Sequence, residues 1–142
     1  MTRARLRGDA GAATTELVLV APALLFTILL TVQLGLYFHA VNVASSAAQE
    51  GAHEASLQGA TLADGEATAR GLVDDLAPSL LAGVRVDGSY ANGGDHVRMT
   101  VSGRVSQVVT IPGIDLGISV NETAETPVER FRPAGDVPGG GP

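Results

Sequence analysis

The feature that most constrains this chain is one uninterrupted apolar run near its start. Leu17 to Phe38 reads LVLVAPALLFTILLTVQLGLYF, and no Asp, Glu, Lys or Arg occurs from Leu17 through Gln49. At ~1.5 Å rise per residue, a helix over this run is roughly 33 Å long, about the thickness of a bilayer's hydrocarbon core. Pro22, Gln33 and Gly35 are tolerable in such a helix, because a membrane helix can bend at proline without ending. Tyr37 and His39 fall where an interfacial belt is expected. One competing reading is the buried helix of a soluble protein, but 142 residues offer too little mass to cover it on every side. A secretory signal peptide is another. Its apolar region is normally ~7–15 residues and this one is longer, although Ala44, Ser46 and Ala48 supply small residues beyond it.

Charge sorting gives the run a direction. Arg3, Arg5 and Arg7 precede it, whereas after Gln49 six arginines face thirteen acids, a net of -7. Short basic flanks stay on the cytoplasmic side. The expectation is a single-pass protein of the cytoplasmic membrane, with its N-terminus inside and an acidic extracytoplasmic domain. The overall charge of -6 leaves no basic surface for phosphates, so nucleic acid is not an expected partner. Without cysteine there is no disulfide framework and no thiolate metal site.

The residues just before the run carry the sharpest signal. They read Arg7-Gly8-Asp9-Ala10-Gly11-Ala12-Ala13-Thr14-Thr15-Glu16. A carboxylate at the mouth of a membrane helix is costly unless matched. Thr14 or Thr15 as a helix cap, with Glu16 favoured by the helix dipole, is one explanation. The other is a leader of the type III kind, cut after Gly11 by a prepilin peptidase. Ala12 then becomes the first residue and Glu16 the fifth, and the freed amine lies near the carboxylate.

With these residues in view, the chain resembles the TadE-like pseudopilins of tight-adherence (Flp) pilus systems, in their actinobacterial form. Arg7, Gly8, Glu16 and Pro22, the last six positions after the acid, carry the match. A second stretch, Ala47-Ala48-Gln49-Glu50-Gly51-Ala52-His53-Glu54-Ala55, is similar to the family's AAREGAR-like segment, with Gln49 and His53 where arginines are usual. Glu50 and Gly51 keep that pattern. The end of the chain, VRMTVSGRVSQVVTIPG followed by SVNETAETPVERFRP, looks like the family's strand-rich part. The resemblance implies a structural protein without cofactor. Its implied partners are the lipid bilayer, a prepilin peptidase, other pilins and pseudopilins, and an inner-membrane assembly platform with its secretion ATPase. An uncleaved single-pass anchor in envelope assembly or secretion is the alternative of the same shape.

The remaining residues predict an α+β domain. Residues 1–11 are the basic leader. Residues 12–58 form the transmembrane helix and its extension, 59–132 a small extracytoplasmic domain, and 133–142 a disordered tail with four glycines and three prolines. Along the extension Val41, Ala44, Ala48, Gly51 or Ala52, and Ala55 recur at helical spacing. Such a stripe suits close packing, either on the chain's own domain or on neighbouring helices. Asn42, Ser45, Gln49, Glu50, His53 and Glu54 lie off it. Thr61 or Asp64 caps a second, short helix to about Leu76, with Leu62, Ala69, Leu72, Val73 and Leu76 on one face. Beyond Gly83 the period becomes two. Val84 and Val86 open a strand, Asn92-Gly93-Gly94-Asp95 turns it, and Val97, Met99, Val101 and Val105 share one face of the next. Ile114, Leu116, Ile118 and Val120, then Ala124, Thr126 and Val128, mark the third strand of an antiparallel sheet.

Catalytic constellations are missing from the pattern. His39, His53 and His96 are scattered, and His53-Glu54 lacks the second histidine of a zinc helix. No G-x-S-x-G occurs, and without lysine there is no S-x-x-K. Asp74-Asp75 are adjacent on a helix, point in different directions, and read as a solvated face. A tethered enzyme or binding domain is therefore the weakest of the functional readings.

Overall fold

A computed structural model describes residues 9–108 and 117–129, with side chains from Glu16 onward except Leu19. The element order is α1 (Asp9–Ser56), α2 (Leu62–Leu76), β1 (Leu81–Ala91), β2 (His96–Val105) and β3 (Ser119–Pro127). This is an α+β fold with a three-stranded antiparallel sheet in the order β1-β2-β3. The described residues fall into two units. One holds α1 up to Gly35 together with Gln107 and Val108; the other holds Leu36–Ser106 and residues 117–129.

In the larger unit the strand alternation decides the core. Val97, Met99, Val101 and Val105 are buried, and β2 lies between its two neighbours. Val86 opposite Val101 and Val120 opposite Gly103 add the inward residues of the outer strands. Ala44, Ala48, Ala52 and Ala55 of α1 and Ala69 and Val73 of α2 complete the cluster. The small-residue stripe of α1 is thus spent on its own domain. The off-stripe residues Asn42, Gln49, Glu50 and His53 are exposed, as their polarity requires.

The two helices of this unit approach closest at a pair of glycines. A Cβ on Gly51 would lie 2.7 Å from the Gly65 carbonyl oxygen and 2.8 Å from the Ala69 Cβ. A Cβ on Gly65 would strike the Gly51 carbonyl oxygen and come within 2.6 Å of the Ala55 Cβ. Only glycine lets these backbones meet. Periodicity marked Gly51 as part of a stripe, but it gave no sign of Gly65, which has no side chain to count.

Thr61 is the cap of α2. Its hydroxyl accepts from the Asp64 N–H at 3.3 Å, and the Asp64 carboxylate accepts from the Thr61 N–H at 2.8 Å. This reciprocal pair is a capping box with Asp as the third helical residue. The same carboxylate takes the Thr61 hydroxyl at 2.7 Å. These bonds, the hydroxyl first, hold the Asp64 carboxyl below its ordinary pKa of 3.8.

Four sequence expectations need correction. The helix starts at Asp9, so Thr14 and Thr15 sit inside it and cannot be its N-cap. Strand β1 begins at Leu81 rather than Val84. A register shift between Ala82 and Arg85 breaks the alternation that would have revealed its first residues. Leu76 does not join the buried face of α2. Gly65, Ala69, Val73 and Ala77 follow one another at intervals of four and are buried, while Leu76 is 52% exposed. Finally, Ile118 precedes β3, which begins at Ser119. Ile114, Leu116 and the 133–142 tail lie outside the described residues. The connection of β1 to β2 is a short 3-10 turn, Asn92–Gly94, with φ of 51° at Asn92 and 71° at Gly93. Asn and Gly are the residues that accept this left-handed backbone most readily.

Candidate functional site: the exposed half of the first helix

A helix that is apolar on every side needs either a protein interior or a lipid one. The first half of α1 has no protein interior. Leu17, Leu24, Leu25 and Phe26 are 65%, 59%, 59% and 53% exposed, and these positions lie on several sides of the helix. Among the described residues this is one helix long and apolar enough to cross a membrane, over Glu16–Ser56.

Three polar side chains within the apolar run, Thr27, Thr31 and Gln33, are satisfied without water. The Thr27 hydroxyl donates to the Ala23 carbonyl and the Thr31 hydroxyl to the Thr27 carbonyl, each at 2.9 Å. These bonds to the preceding turn remove the cost of a bare hydroxyl in an apolar medium. Gln33 is buried, and its side-chain oxygen accepts from the Val108 N–H at 2.9 Å. A glutamine in the middle of an apolar run therefore faces backbone from a segment 75 residues later in the chain. Pro22 lies inside α1 and does not end it.

The predicted site residues are distributed as follows. Glu16 is exposed and makes no hydrogen bond or ion pair among the described residues. Gly11 and Ala12 belong to the first turn of α1, so the expected scissile bond lies in helical backbone. Arg7 and Gly8 lie outside the described residues. Glu50 is exposed, and its neighbour Gly51 is buried at the helix crossing. Glu16 and Glu50 are therefore separate positions on one helix, not a cluster. Sequence reasoning missed Gln33 as a contact residue. Its one available sign was a lone amide among aliphatic side chains. Among the described residues no group of His, Asp and Glu is placed to hold a metal ion.

The stretch that matches a known family is this same helix. A family model described as TadE-like protein matches residues 11–53. Over this stretch the chain is similar to that family. The matched segment starts at Gly11, contains Glu16, Pro22, Glu50 and Gly51, and stops before α2 and the sheet. No curated protein and no solved structure matches the chain. The matched stretch and the helix long and apolar enough to cross a membrane therefore overlap from Glu16 to His53.

Proposed function

We propose that the protein is a TadE-like pseudopilin or minor pilin, held in the cytoplasmic membrane by α1 and working in tight-adherence pilus assembly. The observation that carries this reading is the coincidence of the family match over residues 11–53 with a helix whose large apolar side chains have no cover in their own domain. A prepilin peptidase removes the leader between Gly11 and Ala12. The new amine and the Glu16 carboxylate then neutralise each other within or between subunits, because a lone carboxylate at the mouth of a lipid-embedded helix is costly. The small domain, outside the cytoplasm, contacts other pilins or the inner-membrane assembly platform.

Mass spectrometry of the protein from cells with an active prepilin peptidase tests the processing. A mature chain starting at Ala12 is the expected result. A chain still starting at Met1 would leave an uncleaved envelope anchor. A start near Ala47 would mean simple secretion. The role of Glu16 is tested separately by Glu16→Ala, which should keep membrane insertion and impair piliation; normal pili in that mutant would remove it.

A further inference from the structure

Two features at one end of the larger unit have no part in the proposed function. The first is an apolar hollow of about 350 Å³ whose lining includes Leu36, Leu76, Pro78 and Leu80. The second is an open hollow of about 460 Å³ on the outer face of the sheet, lined by Arg85 and Arg104 among hydroxyl and amide side chains. Arg70 and Arg98 hold carboxylates at 3.7 and 2.6 Å. Among the described residues, Arg85 and Arg104 hold none. In a domain with an excess of acids, both unpaired arginines line the same hollow.

Strand pairing brings the two hollows to one end of the sheet. Leu81 pairs with Val105 and Ala82 with Arg104, and the Ser106 N–H bonds the Leu80 carbonyl at 2.8 Å. Leu36, in the wall of the apolar hollow, is joined by one peptide bond to Gly35, where the unit containing the exposed apolar helix stops. This end of the domain thus begins where the apolar helix leaves off, whatever the orientation of the two units.

We propose that this end of the domain rests on the membrane surface. Leu76, Pro78 and Leu80 enter the headgroup boundary, and Arg85 and Arg104 bind the phosphate of an anionic phospholipid. The inference depends on the reading of α1 as a membrane span. Apolar side chains beside cations are what an interfacial surface needs: burial of the former, attraction for the latter. Arginine is suited to this, since its planar fork matches two phosphate oxygens. Asp74 and Asp75, also exposed, neighbour Leu76 on α2. Apolar contact alone would carry these acids toward phosphates, so the two arginines are required to offset them.

The chain contains no tryptophan, so one introduced indole reports its own surroundings. The full chain carrying Leu76→Trp, or Ser79→Trp as a second reporter, is placed in nanodiscs containing phosphatidylglycerol brominated near the headgroup. Emission should fall roughly twofold relative to unbrominated discs. Adding Arg85→Gln and Arg104→Gln should reduce this quenching to the level found in phosphatidylcholine discs. Phe26→Trp is the control for the span itself and should be quenched by deeply brominated lipid of either class. Loss of quenching at Phe26→Trp would overturn the membrane reading. Quenching there but not at Leu76→Trp or Ser79→Trp would overturn only the docking. Shielding of those reporters from acrylamide that depends on the number of chains per disc, without bromolipid quenching, would assign the surface to a second copy instead.

Discussion

The two halves of α1 are the same helix put to opposite uses. Up to Gly35 its described side chains are mostly large, apolar and exposed; from Ala40 to Ser56 its inward residues are mostly alanine and are buried. Size explains the difference. Leucine and phenylalanine offer apolar area to a surrounding medium, and alanine offers access for another backbone. The first half is complete only when lipid or another protein surrounds it. The second is complete within its own domain, where the stripe that might have served a neighbour is already occupied.

The sharpest way to break this comparison is to exchange residue sizes between the halves. Ala48→Leu should destabilise the domain by about 3 kcal/mol, because Ala48 is fully buried and overpacking cannot relax easily. Leu25→Ala, at a 59% exposed position, should leave the melting temperature of the domain unchanged. Thermal unfolding in detergent followed by circular dichroism reads both, and a large shift for Leu25→Ala would show that the halves are not independent. A somewhat smaller effect tests the environment of the first half. Leu25→Asp should add roughly 2.5 kcal/mol to membrane insertion, visible as loss of protein from the membrane fraction with the domain still folded. Retention equal to the parent would argue against a lipid surrounding at that position.

The smallest effect is confined to the second half's domain. Thr61→Ala removes the cap of α2 and should cost about 1 kcal/mol. It should also weaken a pH dependence. The Asp64 carboxyl has a lowered pKa in the folded state, so its contribution is present above 3.8 and is lost as pH falls through the folded value. A denaturation midpoint measured against pH should therefore drop in acid for the parent and drop less for Thr61→Ala. Identical acid limbs would mean that the capping box does not set that ionisation.

Much of this architecture was legible because it depends on repeated side chains. The exposed helix follows from 22 residues without a charge, and β2 from valines and Met99 at every second position. The hydroxyl and carboxylate of Thr61 and Asp64 identified the start of α2. What escaped depends on groups that leave no period. The helix crossing rests on Gly51 and Gly65, where the decisive property is a missing atom. The partner of Gln33 is a backbone N–H, which every residue except proline possesses. The exposure of Leu76 reflects a buried line on α2 running through Gly65, Ala69, Val73 and Ala77, a line its leucines do not trace. For the candidate site, the acid and proline of the apolar helix were read from their spacing, and the match over residues 11–53 falls on that same helix.

The sheet has two outer strands, and α2 treats only one of them. Glu66 accepts from the Gly88 N–H at 3.0 Å, and Arg70 donates to the Val86 carbonyl at 3.1 Å. One turn of helix thus latches the rim of β1. Among the described residues no side chain does the same for Ser119–Pro127 of β3. Unlatched main-chain groups are what an incoming strand uses. An incoming strand accordingly meets less obstruction along β3 than along β1, where α2 already takes two main-chain groups.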